Sequence, residues 1–284
     1  MDFRLRSIGV TMLIMKGLLI AFLLWTALRS ATSGGIHLQA EFYWFLLAGF
    51  VAQLIDGALG MAYGVSCSSL LLSMGVPPAV ASASVHTAEV FTTGFSGLSH
   101  LYLKNINKAL FLRIVVTGVI GAMLGAYLIS QVFDGGFIKP YISAYLLILG
   151  VVILVKAFRQ QRNKASLRRV PVLGFFGGLM DAIGGGGWGP IVTSNLIQRG
   201  VSPRKTVGTV NVAEFFVAFF GTGVFMVFNS IDSWQPIMGL ILGGLPAAPV
   251  GAWLVSKIKP RTLMILVGIL IIAVSALNIV RSFT

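Results

Sequence analysis

Apolar and polar positions alternate along this chain on the scale of a bilayer rather than on the scale of one helix face. Apolar runs occupy residues 8 to 28, 79 to 102, 110 to 131, 140 to 157, 206 to 228, 235 to 256 and 262 to 281, with most charged residues gathered between them. A helix needs about 17 to 25 such residues to cross roughly 30 Å of hydrocarbon. The pattern therefore predicts seven crossing helices. Two further apolar stretches, 42 to 74 and 171 to 199, are too long for one plain crossing. Each is broken by glycines, in DGALGMAYG and in DAIGGGGWGP. Five glycines between Gly184 and Gly189 are too dense for a helix interior. Each broken stretch thus predicts two half-helices of about 12 to 15 residues that enter the membrane and return, a re-entrant hairpin.

The pattern also repeats. Shifted by 125 positions, the stretch from Leu47 to Phe91 aligns without a gap with Val172 to Phe216. Asp56 falls on Asp181, Tyr63 on Trp188, Gly64 on Gly189, Gly75 on Gly200, Pro78 on Pro203 and Glu89 on Glu214. One extra residue then restores the match, with Gly125 on Gly251. This divides the chain into an N-terminal helix and loop (1 to 41), a first repeat (42 to 157), a basic linker (158 to 170) and a second repeat (171 to 284). Arg4 and Arg6 ahead of the first helix resemble a signal peptide, but its apolar run exceeds the usual 7 to 15 residues, so we read it as a retained helix.

Charge sets the orientation. Matching loops carry opposite charge: KNINKALFLR in the first repeat corresponds to NSIDSWQPIM in the second, and MGVPPA to RGVSPRK. The repeats are therefore expected to be inverted. With a cytoplasmic N-terminus and two re-entrant hairpins, 17 of the 21 Lys and Arg lie inside, as cytoplasmic loops prefer. Arg29, Lys139 and Arg281 lie outside, and Lys16 lies within the first helix. The expected fold is thus an all-α polytopic membrane protein of two inverted repeats. Each repeat has one glycine-broken re-entrant hairpin and three crossing helices, and an extra helix precedes them.

Composition agrees with this setting. The chain is 56% hydrophobic and 10% charged over 284 residues, too little polar surface for a water-soluble globule. A net charge of +13 does not indicate nucleic acid, because the bases sit in the connections between apolar runs. A single cysteine, Cys67, excludes an internal disulfide. No phosphate-binding loop, zinc-spaced His and Cys set or Ser-His-Asp arrangement occurs, so neither an enzyme nor a resident metal or cofactor is expected.

The chemistry is expected at the breaks. A helix beginning inside the membrane directs free N–H groups and its positive end into the interior, and glycine lets an anion come close. Two inverted hairpins bring two such ends together, as in carriers that bind substrate at a repeat interface. Candidate anion ligands are Gly60, Tyr63, Gly64, Ser66 and Ser68 at the first break. At the second they are Gly185, Gly186, Gly187, Trp188, Gly189, Thr193 and Ser194. Close helix packing is the plainer explanation of membrane glycines, and we assign it to Gly118, Gly121, Gly125, Gly243, Gly244 and Gly251.

Four of the eight acidic residues form repeat pairs. A carboxylate near the bilayer centre costs at least about 2.5 kcal/mol, so keeping one in both halves suggests use. Glu89 and Glu214, near the middles of their helices, are candidate proton carriers; a neutral Glu locking two helices is the structural alternative. Asp56 and Asp181 are expected to shape the hairpin tips by accepting loop N–H groups. His86, one turn before Glu89, and its counterpart Asn211 either relay protons, meet the anion or serve as helix contacts.

These paired motifs, DGALGMAYG with HTAE and DAIGGGGWGP with NVAE, resemble the TauE/SafE family of sulfite exporters and toluene-sulfonate uptake permeases. The resemblance runs from about Leu46 to Leu277. It implies a bacterial or archaeal cytoplasmic-membrane carrier of sulfite, sulfonates or related sulfur-containing anions. The expectation is a secondary transporter working with protons, with an anion channel as the alternative. The expected partners are a small anion, protons and the lipid bilayer. A homodimer is compatible with the sequence, which fixes neither oligomeric state nor substrate.

Overall fold

A computed structural model describes residues 3–34, 38–59, 61–158, 168–228, 234–255 and 260–283. Gly60, Asp232 and most of the basic linker lie outside this set, as do the side-chain surroundings of Gly251. Eleven α-helices carry the described chain: α1 (Phe3–Gly34), α2 (Glu41–Leu59), α3 (Tyr63–Ser73), α4 (Pro78–Tyr102), α5 (Lys108–Tyr127), α6 (Gly135–Phe158), α7 (Val170–Gly184), α8 (Ser194–Gln198), α9 (Pro203–Phe228), α10 (Trp234–Val255) and α11 (Pro260–Arg281). Widened π-helical turns extend α5 over Leu128–Val132 and lead into α8 over Gly189–Thr193. No strand occurs among the described residues.

Among the described residues five segments are long and apolar enough to cross a membrane: Arg6–Thr26, Lys108–Val132, Gly135–Lys156, Pro203–Phe228 and Arg261–Arg281. α4 has the length, with 25 residues, but its Ser and Thr residues, His86 and Glu89 dilute its apolar character. Large apolar side chains such as Leu13, Leu18, Leu112, Val116, Ile148 and Leu266 point outward, whereas Ser66, His86, Glu89, Asp181 and Thr193 are buried. That inside-out distribution suits a hydrocarbon solvent, in which polar groups must find partners within the protein. The chain is a multi-pass membrane protein.

Both glycine breaks separate two helical segments, of 19 and 11 residues in the first. In the second, α7 has 15 residues, and the chain after the break runs from the widened turn into α8. α2 outruns the 12 to 15 residues expected because the glycine-containing break DGALG begins only in its last turns, and the single Gly49 earlier does not stop a helix. The two short segments end alike. Gly75 and Gly200 adopt left-handed φ values of 84° and 81°. Val76 then donates to Leu71 O and Val201 to Leu196 O, the signature of a glycine-capped helix end.

Close glycine contacts fix which helices run together. A β-carbon on Gly49 would lie 2.5 Å from Leu240 O, and one on Gly174 would lie 2.9 Å from Ile114 O. With Gln53 near Gly244 and Leu179 near Gly125, these pairs make α2 run parallel to α10, and α7 parallel to α5. In the core, α4 and α9 run antiparallel: His86 faces Gly221, while Asn211 donates to Ser96 Oγ at 2.7 Å. α6 and α11 are also antiparallel, with Gly150 against Ile271 and Leu154 against Gly268. α1 lies outside this body, its Met12 and Lys16 touching Gly97 and Gly94 of α4.

Candidate functional site

The two breaks touch each other. A β-carbon on Gly64 would lie 2.8 Å from Gly186 Cα, and one on Gly189 would lie 2.6 Å from Met61 Cα. On Gly186 it would overlap the backbone of Gly64 and Val65. Only glycine permits this approach of backbone to backbone. Ser68 Oγ ties the contact by donating to Gly185 O, and Ser82 Oγ of α4 donates to Ala182 O at 2.5 Å.

Each tip is shaped by an aspartate in the last turns of the helix that enters it. Asp56 Oδ1 accepts from Ala62 N at 3.0 Å and Tyr63 N at 3.3 Å. Asp181 Oδ1 accepts from Trp188 N at 2.9 Å. In both halves a carboxylate takes over N–H groups that the break leaves without helical partners. Trp188 fills the space behind the second tip, fully buried against Gly118, and its indole N–H points to Val210 O at 3.4 Å. Tyr63 stands in the matching place beside Gly244, and its hydroxyl is buried without a partner.

α4 brings two of the acid and base candidates to this junction. The carboxyl of Glu89 reaches the start of α3, since a β-carbon on Gly64 would lie 2.8 Å from Glu89 Oε1. Its Oε2 is buried and unpartnered. One turn earlier, His86 Nδ1 donates to Ser82 O at 3.0 Å, which leaves Nε2 facing Asp181 Oδ2 at 3.4 Å. His86, Glu89 and Asp181 each offer an atom within 4.8 Å of the others, donors enough to hold a cation. Glu214 is only half-buried, and Asn211 is engaged with Ser96.

The hydroxyl candidates divide into two kinds. Ser66 Oγ and Thr193 Oγ are buried without partners. Ser68 is spent on Gly185 O, and Ser194 donates to Pro190 O while accepting from Lys156. Gly187 packs against the Tyr145 hydroxyl, which donates to Gly186 O at 3.1 Å. Gly60 lies outside the described residues.

Sequence reasoning did not single out Tyr145, Lys156 or Ser82. Lys156 Nζ donates to Pro190 O at 2.9 Å, reaching in beside the chain that leaves the second break. Its signal was its place inside the end of the apolar run 140 to 157, with Ala157 and Phe158 after it, rather than in the charged loop beyond. Tyr145 and Ser82 carried no local signal, because a lone hydroxyl in an apolar helix is commonplace.

The family model described as sulfite exporter TauE/SafE matches residues 45–278. A probable membrane transporter protein, YtnM of Bacillus subtilis (strain 168), is 45% identical over 249 residues, which cover 84% of this chain and 83% of that protein. A second, YunE of the same organism, is 20% identical over 266 residues, covering 82% of this chain and 96% of its own. A sulfite exporter TauE/SafE family protein 3 of Arabidopsis thaliana is 30% identical over 83 residues, covering 29% of this chain and 17% of its own. No solved structure matches. Several apolar helices, touching glycine breaks and transporter relatives together describe a membrane transport protein, and the chain belongs to the sulfite exporter TauE/SafE family.

Proposed function

We propose that this protein is a secondary transporter that moves sulfite, an organosulfonate or a related sulfur-containing anion across the cytoplasmic membrane of a bacterium or archaeon. Transport is coupled to protons. The observation that carries the reading is the contact between the two breaks, Gly64 on Gly186 and Gly189 on Met61, with the Glu89 carboxyl beside it. Tyr63 OH, Ser66 Oγ and Thr193 Oγ are buried polar groups without protein partners at or one turn beyond this contact. An oxyanion would accept from hydroxyls and from backbone N–H groups at the helix starts, in a site where glycine leaves room for it.

An inverted-repeat architecture supports the reading. Shifting residue numbers by 125 or 126 turns the Gly49–Leu240 contact into Gly174–Ile114, Gly64–Gly186 into Gly189–Met61, and the His86–Gly221 pair into Asn211–Ser96. Equivalent helices α4 and α9 run antiparallel, as an axis lying in the membrane plane requires. α7 follows α5, and the chain after the second break follows α6, through Tyr145 at Gly187 and Lys156 at Ser194. That change of partner favours a hairpin returning to its own side. The N-terminus is then cytoplasmic, by the distribution of Lys and Arg.

Coupling is assigned to Glu89 and Glu214. An ionised carboxylate beside the anion repels it, so protonation favours occupancy, and anion and proton move together. The test is flux in proteoliposomes with sulfite, sulfate, thiosulfate, taurine and a neutral control. Accumulation of one sulfur anion against its own gradient, driven by a pH gradient, is the expected result. Flux that only dissipates the anion gradient would replace the carrier with a channel.

A further inference from the structure

Among the buried side chains with unpartnered atoms, three come together, each offering one ligand atom within 4.8 Å of the others. They are His86, Glu89 and Asp181, whose Nε2, Oε2 and Oδ2 are buried without partners. His86 is 0% exposed, Glu89 2% and Asp181 1%. We propose that these residues bind one divalent transition-metal ion of the zinc type at the junction of the two halves.

Geometry favours an ion over shared protons. Nε2 and Oδ2 stand 3.4 Å apart, too far for a good hydrogen bond and without the alignment of one. With ligand distances of about 2.1 Å, the edge of a zinc tetrahedron is about 3.4 Å. The remaining ligand separations lie within 4.8 Å, which small rotations of the Glu89 side chain close.

The surroundings of two ligands suit the same conclusion. His86 Nδ1 donates to Ser82 O, which fixes the tautomer and aims the Nε2 lone pair at the centre. Asp181 Oδ1 accepts from Trp188 N, which holds that carboxylate and leaves Oδ2 free. Among the described residues no Lys or Arg pairs with either carboxylate. Two ionised carboxylates and a neutral imidazole sum to a charge that a divalent ion cancels, so the occupied cluster is neutral in a dry interior. A mixed nitrogen and oxygen set selects zinc, manganese or iron over magnesium, which prefers oxygen alone. A bound ion and a proton on Glu89 exclude each other, and Asp181 would join the ion to the second hairpin.

The inference does not rest on the transport reading, and its test uses no anion and no gradient. Purified, chelator-stripped full-length protein in detergent is titrated with zinc by calorimetry, and bound metal is counted by elemental analysis. One zinc per chain is expected, with no heat from magnesium at the same concentration. His86→Gln and Glu89→Gln, which keep the Asp181 bond to Trp188, should each weaken zinc binding at least tenfold, and Glu41→Gln, at the exposed start of α2, should leave it unchanged. Should either variant fail to fold, cobalt added to the wild type replaces it: intense visible bands of four-coordinate cobalt are expected. No stoichiometric zinc, equal affinity in the folded His86→Gln and Glu89→Gln proteins, or only the pale spectrum of hydrated cobalt overturns the proposal.

Discussion

At the first break Asp56 Oδ1 accepts the N–H groups of Ala62 and Tyr63, and at the second Asp181 Oδ1 accepts that of Trp188. One oxygen of one residue type thus does the same task in both halves. The other oxygen does not. Asp181 Oδ2 faces His86 Nε2, but at the position matching His86 the second half has Asn211, which donates to Ser96 instead. The basic residues that close each repeat differ as well. Lys156 reaches in to Pro190 O and Ser194 Oγ, whereas Arg281, its counterpart, reaches only Ser73 O at the exposed end of α3. The aspartate bonds to the tip and the glycine-capped ends are shared between the halves, the widened turn at Gly189–Thr193 is not, and the side-chain contacts of His86 and Lys156 gather at the second break. A repeated sequence can thus keep one backbone bond in both halves while the ionisable side chains around it differ.

The largest effect is expected where the halves touch. Gly64→Val places its β-carbon 2.8 Å from Gly186 Cα and from Glu89 Oε1, and backbone cannot step aside as a flexible side chain can. Gly187→Val meets the Tyr145 hydroxyl instead. Both proteins should reach the membrane, and anion binding should be abolished in both. Unchanged anion affinity in a folded Gly64→Val protein would remove the junction from the site and with it the comparison.

Next in size is the contrast between the glutamates. Glu89 is buried with an unpartnered oxygen, and Glu214 is half-buried. Glu89→Gln should lose accumulation driven by a pH gradient while keeping anion-for-anion exchange, which moves no net proton. Glu214→Gln should lose less. Deprotonation adds a negative charge beside the anion, so wild-type affinity should weaken as pH rises and become flatter in Glu89→Gln. Equal loss in the two variants would mean that the ionisable machinery is as symmetrical as the backbone. Wild-type pH profiles in both would make the glutamates structural.

A third contrast sets Lys156 against Arg281. Lys156→Met leaves two acceptors inside the second half without their charged donor, a loss of about 1.5 to 3 kcal/mol for each such hydrogen bond at most. Arg281→Met removes one exposed bond, worth about 1 kcal/mol or less. Thermal unfolding in one detergent should therefore shift clearly for the first and barely for the second. Similar shifts would show that the reach of Lys156 carries no energy of its own.

Much of this plan was legible in the sequence because repetition is a property of order along the chain. The paired Asp, Gly and Glu positions, and the breaks themselves, needed only the shift of 125. What touches what was not legible. An alignment says that His86 corresponds to Asn211, yet their partners are Asp181 and Ser96, residues chosen by how α4 crosses α9 and the second tip. The same holds for Tyr145 on Gly186. The widened turn at Gly189–Thr193 also left no signal, although Pro190, with no N–H to give, suits a turn whose helical bonding is shifted.

The smallest expected effect is one in which the two halves should agree. Gly75 and Gly200 occupy matching positions with φ of 84° and 81°, and each ends its short segment in the same pattern, with the next Val donating back to a leucine carbonyl. No atom lies within 4 Å of a β-carbon on Gly75, so alanine there meets strain from the left-handed backbone and no clash. Gly75→Ala should destabilise by about 1 to 2 kcal/mol, the usual difference for a residue held in that region. Gly200→Ala should do the same, because the conformation is the same. Neither residue lies at the junction, so anion affinity should stay at the wild-type value in both. Unfolding in detergent and anion titration of the two variants side by side test this directly. A shift twice as large at one position would show that the half-helix ends differ in energy despite sharing a backbone, and the symmetry would then be one of shape alone.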